Sequence, residues 1–251
     1  DSRNKAGIAP VKPLLDEIEA AKTKEELQKL QVKYAWMGLG LGYVSGFDAD
    51  EKNVAMNIYI LMQGGLTLGA KDYYLNNDAA TVAIREAYKT YLSKMFQLYG
   101  FSADEAAKKA SAVFLHETTL ATFSKSRTEL RDPQANYNKM TLAEFKENYP
   151  NIPLEALANA EGIKSENLKE MIVGQPAFFA GYDKVAAAEC AGTLKALMEW
   201  DIISSSASYL SDEIREARFE FFGKTMSGRK EDYPLWKRAT TQVEAQLGEA
   251  L

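Results

Sequence analysis

The sequence predicts a mainly α-helical protein, an irregular multi-helix domain with one small β-hairpin. Apolar residues recur along most of the chain at the three-to-four-residue spacing of a helix face. The clearest such segment covers residues 79–99 and is followed by Gly100, a residue that commonly ends helices. Residues 41–62 instead alternate apolar and polar side chains around a turn-rich centre, which is the pattern of a hairpin. We expect all 251 residues, 1–251, to form a single helical domain.

The remaining elements are predicted in chain order from apolar stripes and end signals. Two helices precede the hairpin, around residues 14–18 and 27–34. Ser102 with Glu105, and Thr141 with Glu144, have the spacing of a capping box, and each pair predicts a helix start. We expect the helix after Ser102 to continue to about Arg127. Further helices are predicted over residues 154–160, 176–188, 192–209, 211–223 and 232–251, with a very short strand at 172–173.

Composition excludes several classes of protein. The net charge is −5, whereas a dedicated nucleic-acid-binding domain carries a basic face, so we expect no nucleic-acid partner. No apolar run approaches the roughly 20 residues of a membrane-spanning helix, so we expect no membrane contact from this part of the protein. The chain begins at Asp1 without a signal-like segment, which indicates a fragment or a processed product. Cys190 is the only cysteine and therefore forms no disulfide within the chain.

The chain carries one near match to a zinc-binding motif. In H-E-x-x-H, two histidines four residues apart share a helix face, and the glutamate acts as a general base. Here His116 and Glu117 are followed by Leu120 at the second histidine position, and His116 is the only histidine. We therefore expect His116 to be packed or hydrogen-bonded, and we predict no catalytic residue and no metal site in this chain.

Three other clusters of charged residues are candidate ligand sites. The acidic segment 48–53 lacks the central glycine and the final glutamate of a calcium loop, so a solvated hairpin turn is favoured. Arg127 or Arg131 is expected to tie a loop to a neighbouring helix through an acidic residue, although capture of a substrate carboxylate is the alternative. A basic cluster near the C-terminus suits a helix end, a solvated surface or docking to another domain. Its members are Lys224, Arg229, Lys230, Lys237 and Arg238.

Several longer motifs occur in order along the chain. The first two are a Gly-Gly-Leu loop followed by Asp-Tyr-Tyr, and an Arg-Asp-Pro segment followed by Tyr-Asn-Lys-Met. The third lies in the segment 209–238, and a weaker match covers 172–176. The motif residues, which we expect to be structural, are Gln63, Gly64, Gly65, Leu66, Asp72, Tyr73, Tyr74, Arg131, Asp132, Pro133, Tyr137, Asn138, Lys139, Met140, Gly223, Lys224, Gly228, Arg229, Lys230, Trp236, Lys237 and Arg238.

These motifs resemble the neprilysin family of zinc metallopeptidases, specifically the N-terminal, non-catalytic half, and in particular a bacterial oligopeptidase O-like member. Gly69 to Lys71 depart from the family pattern, which more often has proline there. The resemblance implies that zinc is held by a catalytic domain of the same polypeptide and that this chain is inactive alone. It also implies that this helical domain faces the catalytic domain and restricts access to short peptides. Export to the periplasm or cell surface is favoured over a cytoplasmic location for the whole protein.

Two expectations follow for the surface of such a domain. One face meets the other half and is less polar than an ordinary surface. The candidates are the hairpin, together with the Gly-Gly-Leu loop that follows it and ends at Leu66, and a C-terminal aromatic group. Each aromatic residue could instead fill the core of this domain. That group comprises Phe219, Phe221, Phe222, Tyr233 and Trp236. The alternative function, from a different class, is a free-standing helical module that binds proteins or peptides without catalysis.

Overall fold

The computed structural model describes residues 2–248, and their fold is mainly α-helical, as predicted. The helices are α1 Ser2–Ala6, α2 Lys12–Ala20, α3 Lys24–Lys33, α4 Asp72–Leu75, α5 Ala79–Leu98, α6 Ala103–Phe123, α7 Leu142–Asn148, α8 Leu154–Ala160, α9 Pro176–Ala188, α10 Ala191–Ser206, α11 Asp212–Arg218 and α12 Leu235–Leu247. The strands are β1 Tyr43–Asp50, β2 Asn53–Gln63, β3 Lys139–Thr141 and β4 Glu170–Val173.

The β-hairpin forms where the alternation predicts it, but it is not an isolated hairpin. β1 and β2 are antiparallel, with Tyr43 opposite Gln63, and the turn between them is only two residues long. β4 pairs with β2 in parallel, with Ile60 opposite Ile172, and β3 adds to the other side of β4. The strand order is therefore β1-β2-β4-β3. The hairpin and the short strand predicted at 172–173 are confirmed, and β3, which was not predicted, completes a four-stranded sheet in place of an isolated hairpin.

Capping boxes position two of the predicted helices. The Ser102 backbone N–H donates to Glu105 at 3.1 Å, and the Ser102 hydroxyl accepts from the Glu105 N–H. Thr141 and Glu144 are paired in the same way at the start of α7. Each box satisfies backbone donors that have no partner inside the helix. Local sequence therefore determines these helix starts.

α6 ends at Phe123, four residues earlier than predicted. Ser124 is extended, and the Lys125 N–H donates to the Gln63 side-chain oxygen at 2.7 Å. If the helix continued through Lys125, this N–H would form an intrahelical hydrogen bond instead. A contact with a residue 62 positions away therefore ends the helix.

The last predicted helices are also interrupted. α11 ends at Arg218 and is followed by a π-helical stretch, Phe219–Thr225. A Cβ on Gly223 would lie 2.2 Å from the Phe219 ring, so only glycine allows this ring to pack where it does. Pro234 directly precedes α12 rather than lying inside it. The predicted helix end at Leu251 lies outside the described residues.

Two hydrophobic clusters support the fold. The larger lies among α2, α3, α5, α6, α10 and α11 and includes Tyr88, Leu92, Phe96 and Ile203, none of which is exposed. The smaller packs the sheet against α7, α8 and α9. Leu66, at the hairpin exit, packs against both clusters. The loop after β2 therefore lies where the two clusters meet.

We predict that Gly65→Ala destabilises the protein by about 2 kcal/mol or more. Gly65 has φ +73°, and a Cβ there would lie 2.8 Å from the Cα of Gly42. Gly46→Ala is the matched control, because a Cβ at Gly46 meets nothing within 4 Å. Thermal unfolding of both variants tests this prediction, and equal melting temperatures would show that the close approach at Gly65 is unimportant.

Candidate functional site

The first motif residue, Gln63, links three segments at the end of β2. Its side chain accepts from the Lys125 N–H and donates to the Lys125 carbonyl at 3.0 Å. Its backbone N–H donates to the side chain of Gln175 at 2.8 Å. Gln175 is fully buried and donates in turn to Asn136 at 3.0 Å. The hairpin, the end of α6 and the loop before β3 are thus held by one amide network.

Tyr74, in the Asp-Tyr-Tyr motif, belongs to a second buried network. Its hydroxyl donates to Glu117 at 2.8 Å and accepts from the backbone N–H of Leu68 at 3.1 Å. Thr67 and Tyr88 also donate to Glu117, at 2.6 and 2.9 Å. Burial raises the pKa of Glu117 to about 7, and the three hydroxyl donors oppose this shift. The Gly-Gly-Leu loop is therefore tied to α4, α5 and α6 through one carboxyl group.

Tyr137 and Lys139, which belong to the second motif, hold the hairpin turn in place. Asp50, expected in a solvated turn, is buried instead. Its carboxylate accepts from Tyr137 at 2.8 Å and lies 3.1 Å from the ammonium of Lys139. The Lys52 N–H, the Tyr137 hydroxyl and Lys139 hold the pKa of Asp50 below its usual range. Lys52 also lies 4.0 Å above the Tyr137 ring. These contacts fix the turn and occupy the carboxylate of Asp50.

The other residues of the first two motifs have smaller roles. Asp132 accepts from the Ala135 N–H at 3.0 Å and so closes a turn after exposed Arg131 and Pro133. The Asn138 side chain donates to the Gly174 carbonyl at 3.3 Å. Tyr73 and Met140 pack against the edges of the two clusters, and Asp72 is exposed.

The ion pair expected for Arg127 or Arg131 is not found. Both side chains are exposed, and neither lies within ion-pair distance of a carboxylate among residues 2–248. The ion pair that reaches this segment instead joins Lys71 and Glu129 at 3.6 Å. The expectation was wrong because the loop is held by the amide groups described above rather than by charge.

His116 is buried beside a carboxylate. Its Nδ1 lies 2.7 Å from the carboxylate of Glu189, and its side chain is only 5% exposed. Leu120, at the second motif position, is fully buried in the smaller cluster. Over the described part of the chain, no group of three histidine, cysteine, aspartate or glutamate side chains could hold a metal ion. The described residues therefore do not provide a ligand set for a catalytic zinc.

The C-terminal motif forms the rim of a cavity. Gly223 allows the Phe219 ring to pack, and Gly228 adopts φ +65° before Arg229. Arg229 lies 3.9 Å above the Tyr233 ring, and Arg238 donates to the Tyr233 carbonyl at 3.0 Å. Lys224 pairs with Glu220, Lys237 lies above Tyr233, and Lys230 and Trp236 are exposed. The predicted basic cluster is thus divided between a surface and a cavity wall.

Exposed apolar residues concentrate in the two predicted places. On the hairpin, Val44, Phe47, Val54 and Met56 are between 48% and 80% exposed. At the C-terminal end, Tyr233, Leu235, Trp236, Val243 and Leu247 are between 46% and 69% exposed. The aromatic group is divided, because Phe221 is buried and stacks on Tyr91 with ring centroids 4.9 Å apart. Phe219 and Phe222 are half-buried.

Comparison with known proteins identifies the family. The N-terminal model of peptidase family M13 matches residues 1–251. The chain belongs to peptidase family M13. The resemblance of its motifs to the N-terminal half of the neprilysin family is thereby confirmed. None of the described helices is long and apolar enough to cross a membrane.

Relatives and solved structures agree with this assignment. Endothelin-converting enzyme 1 of Mus musculus is 27% identical over 91% of the chain, and the Rattus norvegicus enzyme is 25% identical over 91%. The chain spans about 30% of the length of each. The structure of Mycobacterium tuberculosis zinc metalloprotease ZMP1 with an inhibitor superposes with a TM-score of 0.91 at 26% identity, covering 99% of this chain and 38% of that one.

A second bacterial protein gives evidence of a shared fold only. PepO from Lactobacillus rhamnosis superposes with a TM-score of 0.74 at 19% identity. The match covers 93% of this chain and 36% of that one.

Proposed function

We propose that this chain is the non-catalytic half of a zinc metallopeptidase and that it faces a catalytic half carried by the same polypeptide. Its role is to close one side of the substrate chamber, so that short peptides enter and folded proteins do not. Membership of peptidase family M13 supports the reaction class. The burial of His116 against Glu189 supports a non-catalytic role, because this histidine is not available to a metal.

The observation that carries the proposal is the exposed apolar surface. Soluble monomers rarely expose a contiguous apolar patch of more than a few hundred square ångströms. Here, exposed apolar side chains concentrate on the hairpin and on α12 with the residues before it. Leu235 and Trp236 are 66% and 69% exposed and adjacent in sequence. We assign both segments to the contact with the catalytic half.

This contact is tested with a matched pair of leucines. Leu235 in α12 and Leu115 in α6 are both 66% exposed in the chain. We expect Leu235→Ser in the whole polypeptide to lower its stability by about 1.5–3 kcal/mol, because a buried leucine loses its apolar contacts. Leu115→Ser is expected to change it by less than about 0.5 kcal/mol. Equal effects of the two variants would remove the support for α12 as a contact surface.

A second test concerns zinc and proteolysis. We expect the whole polypeptide to hold zinc and to cleave peptides, whereas the chain of 251 residues does neither. His116→Ala in the whole polypeptide is expected to leave activity within a few-fold, provided that the fold survives. Metal analysis after washing with a chelator, together with a peptide cleavage assay, measures both properties. One tightly held zinc ion on the isolated chain would contradict the proposal and favour a different role.

We propose further that the whole protein is exported, to the periplasm or the cell surface. Its peptide substrates would then be outside the cytoplasm. Fractionation of the source cells, followed by detection of the whole protein, tests this location. If the whole protein is recovered with a cytoplasmic marker, the proposed export is wrong. The proposed role of this chain does not depend on that result.

A further inference from the structure

A half-buried cavity of about 360 Å³ lies between the π-helical stretch and α12. Its lining contains four guanidinium groups and one carboxylate, and we call it the arginine pocket. The charged residues that define it are Arg215, Arg218, Arg229, Arg238 and Asp232. It is remote in sequence from the Gly-Gly-Leu loop and contains no residue of the two buried networks described above.

The positive charge of the arginine pocket is only partly compensated. A terminal nitrogen of Arg215 donates a hydrogen bond to Asp232 at 2.5 Å. The guanidinium groups of Arg229 and Arg238 are 3.6 and 3.9 Å from the same carboxylate, too far for good hydrogen bonds. Arg215 also lies 3.5 Å from Asp212, so it is the most fully paired of the four. The Asp232 carboxylate is thus the shared neighbour of three arginines.

Arg218 is the clearest available donor. It forms neither an ion pair nor a side-chain hydrogen bond with any residue whose side chain the structure describes. Its guanidinium instead lies 5.0 Å from the centroid of the Phe222 ring. A partly buried arginine usually has an acceptor, since its five N–H groups lose water on burial. The lining therefore contains an unused set of donors for a negatively charged group.

Aromatic rings give the arginine pocket a fixed shape and an apolar wall. The Arg229 guanidinium is 3.9 Å from the Tyr233 ring and 5.3 Å from the Phe219 ring. Such contacts hold a guanidinium in place and leave its edge free for hydrogen bonds. Phe219, Phe222 and Tyr233 all line the cavity beside the charged groups.

We infer that the arginine pocket binds a small organic anion through its phosphate or carboxylate group. Guanidinium groups bind such oxyanions through paired hydrogen bonds. The cavity volume is in the range of small-molecule sites, and it exceeds what a bare ion fills. The aromatic wall accommodates the apolar part of the ligand. This site borders the surface that we assign to the catalytic half, because Tyr233 and α12 belong to both, and it adds a binding function to the non-catalytic half.

The test uses the whole polypeptide that carries this chain. Inorganic phosphate, sulfate and acetate are each compared with sodium chloride at the same ionic strength, and the melting temperature is followed. A ligand that binds only the folded state raises it with the logarithm of one plus the ratio of ligand concentration to Kd. We expect a rise of this form with at least one of the three oxyanions and none with chloride. A response to phosphate and sulfate assigns a tetrahedral oxyanion, and a response to acetate assigns a carboxylate.

Variants attribute the response to the pocket. Arg218→Gln is expected to weaken the affinity for the effective anion by roughly tenfold or more, and Arg218→Lys by less, since it retains the charge but loses the paired geometry. Arg131→Gln, at an exposed arginine without an ion pair, is the matched control and is expected to leave the affinity unchanged. Arg238→Gln provides a second pocket variant if Arg218→Gln fails to fold.

Two results would overturn the inference. One is an equal response to the oxyanions and to chloride in the unmodified protein. The other is an unchanged affinity in a folded Arg218→Gln or Arg238→Gln variant, because the anion would then bind elsewhere. Neither result affects the proposed contact with a catalytic half, which is tested by Leu235→Ser.

Discussion

Glu117→Ala is expected to lower the free energy of unfolding by about 3–5 kcal/mol. The carboxyl group of Glu117 accepts hydrogen bonds from Thr67, Tyr74 and Tyr88, at distances between 2.6 and 2.9 Å. Alanine would leave three largely buried hydroxyl groups without this acceptor and would open a cavity beside them. Urea denaturation of the chain measures the loss.

Two further variants make the Glu117 prediction specific. Glu86→Ala, at an exposed helical glutamate paired with Lys89, is expected to cost no more than about 0.5 kcal/mol. Tyr74→Phe removes one donor but leaves the carboxyl group with two others, so we expect a smaller loss than for Glu117→Ala. If Glu117→Ala and Glu86→Ala have similar effects, the hydroxyl network does not support the fold.

Lys109→Met is expected to be comparably destabilising at pH 8, by about 3–5 kcal/mol. The Lys109 ammonium lies 2.6 Å from Glu199 and 2.7 Å from Glu19, and the Glu199 side chain is fully buried. Without Lys109, no described cation contacts Glu199, so the buried carboxyl group must stay protonated above its usual pKa or ionise without compensation, and both cost free energy. Glu199→Gln in the Lys109→Met background is expected to restore part of the stability. A double variant as unstable as Lys109→Met alone would contradict this explanation.

The same pair predicts a pH dependence. One oxygen of Glu199 is buried without a hydrogen-bond partner among the described residues, and a hydrogen bond from the protonated carboxyl group to the neighbouring Glu19 favours the protonated form. Burial and this hydrogen bond raise the pKa of Glu199 from 4.5 to about 8. The hydrogen bond from Glu199 lowers the pKa of Glu19 to about 2. The stability due to Glu199 is therefore lost as the pH rises from 4.5 to about 8, and that due to Glu19 is lost as the pH falls from 4.5 to about 2.

We accordingly expect the melting temperature to fall between pH 6 and pH 9 and to fall less in Glu199→Gln, with the pH range set by the raised pKa. Asp201 and Glu117, whose pKa values burial raises to about 7, contribute to the slope in both proteins. Glu86→Gln is the control, since its side chain is exposed on α5. Identical slopes in the wild type and Glu199→Gln would show that Glu199 is not protonated in the folded state.

The sequence predicts those parts of the fold that local chemistry determines. The capping boxes at Ser102 and Thr141, the helix break at Gly100 and the alternation of the hairpin each depend on residues a few positions apart. β3 was missed because three residues carry no periodicity, and its partner strand lies about 30 residues away. The end of α6 was misplaced because Gln63, far away in sequence, takes the N–H that would extend it.

The same distinction explains what was missed in the candidate sites. The motif residues Gln63 and Tyr74 were identified, but their partners Gln175, Asn136 and Glu117 were not assigned to networks. Glu117 follows His116 directly in the incomplete zinc motif, and its hydrogen-bond partners Thr67 and Tyr88 lie far from it in sequence. The basic cluster was identified without Arg215 and Arg218, which lie one helix earlier. Only the fold brings these two arginines beside Arg229 and Arg238.

The measurement that tests the central claim most directly is the dependence of cleavage on substrate size. The whole polypeptide is given a series of substrates that share one cleavable sequence and increase in length, ending with the same sequence in an exposed loop of a folded protein. If this chain closes a chamber, kcat/KM falls steeply with length and the folded protein is not cleaved. Equal cleavage of the short peptide and the folded protein would contradict the proposed role of this chain.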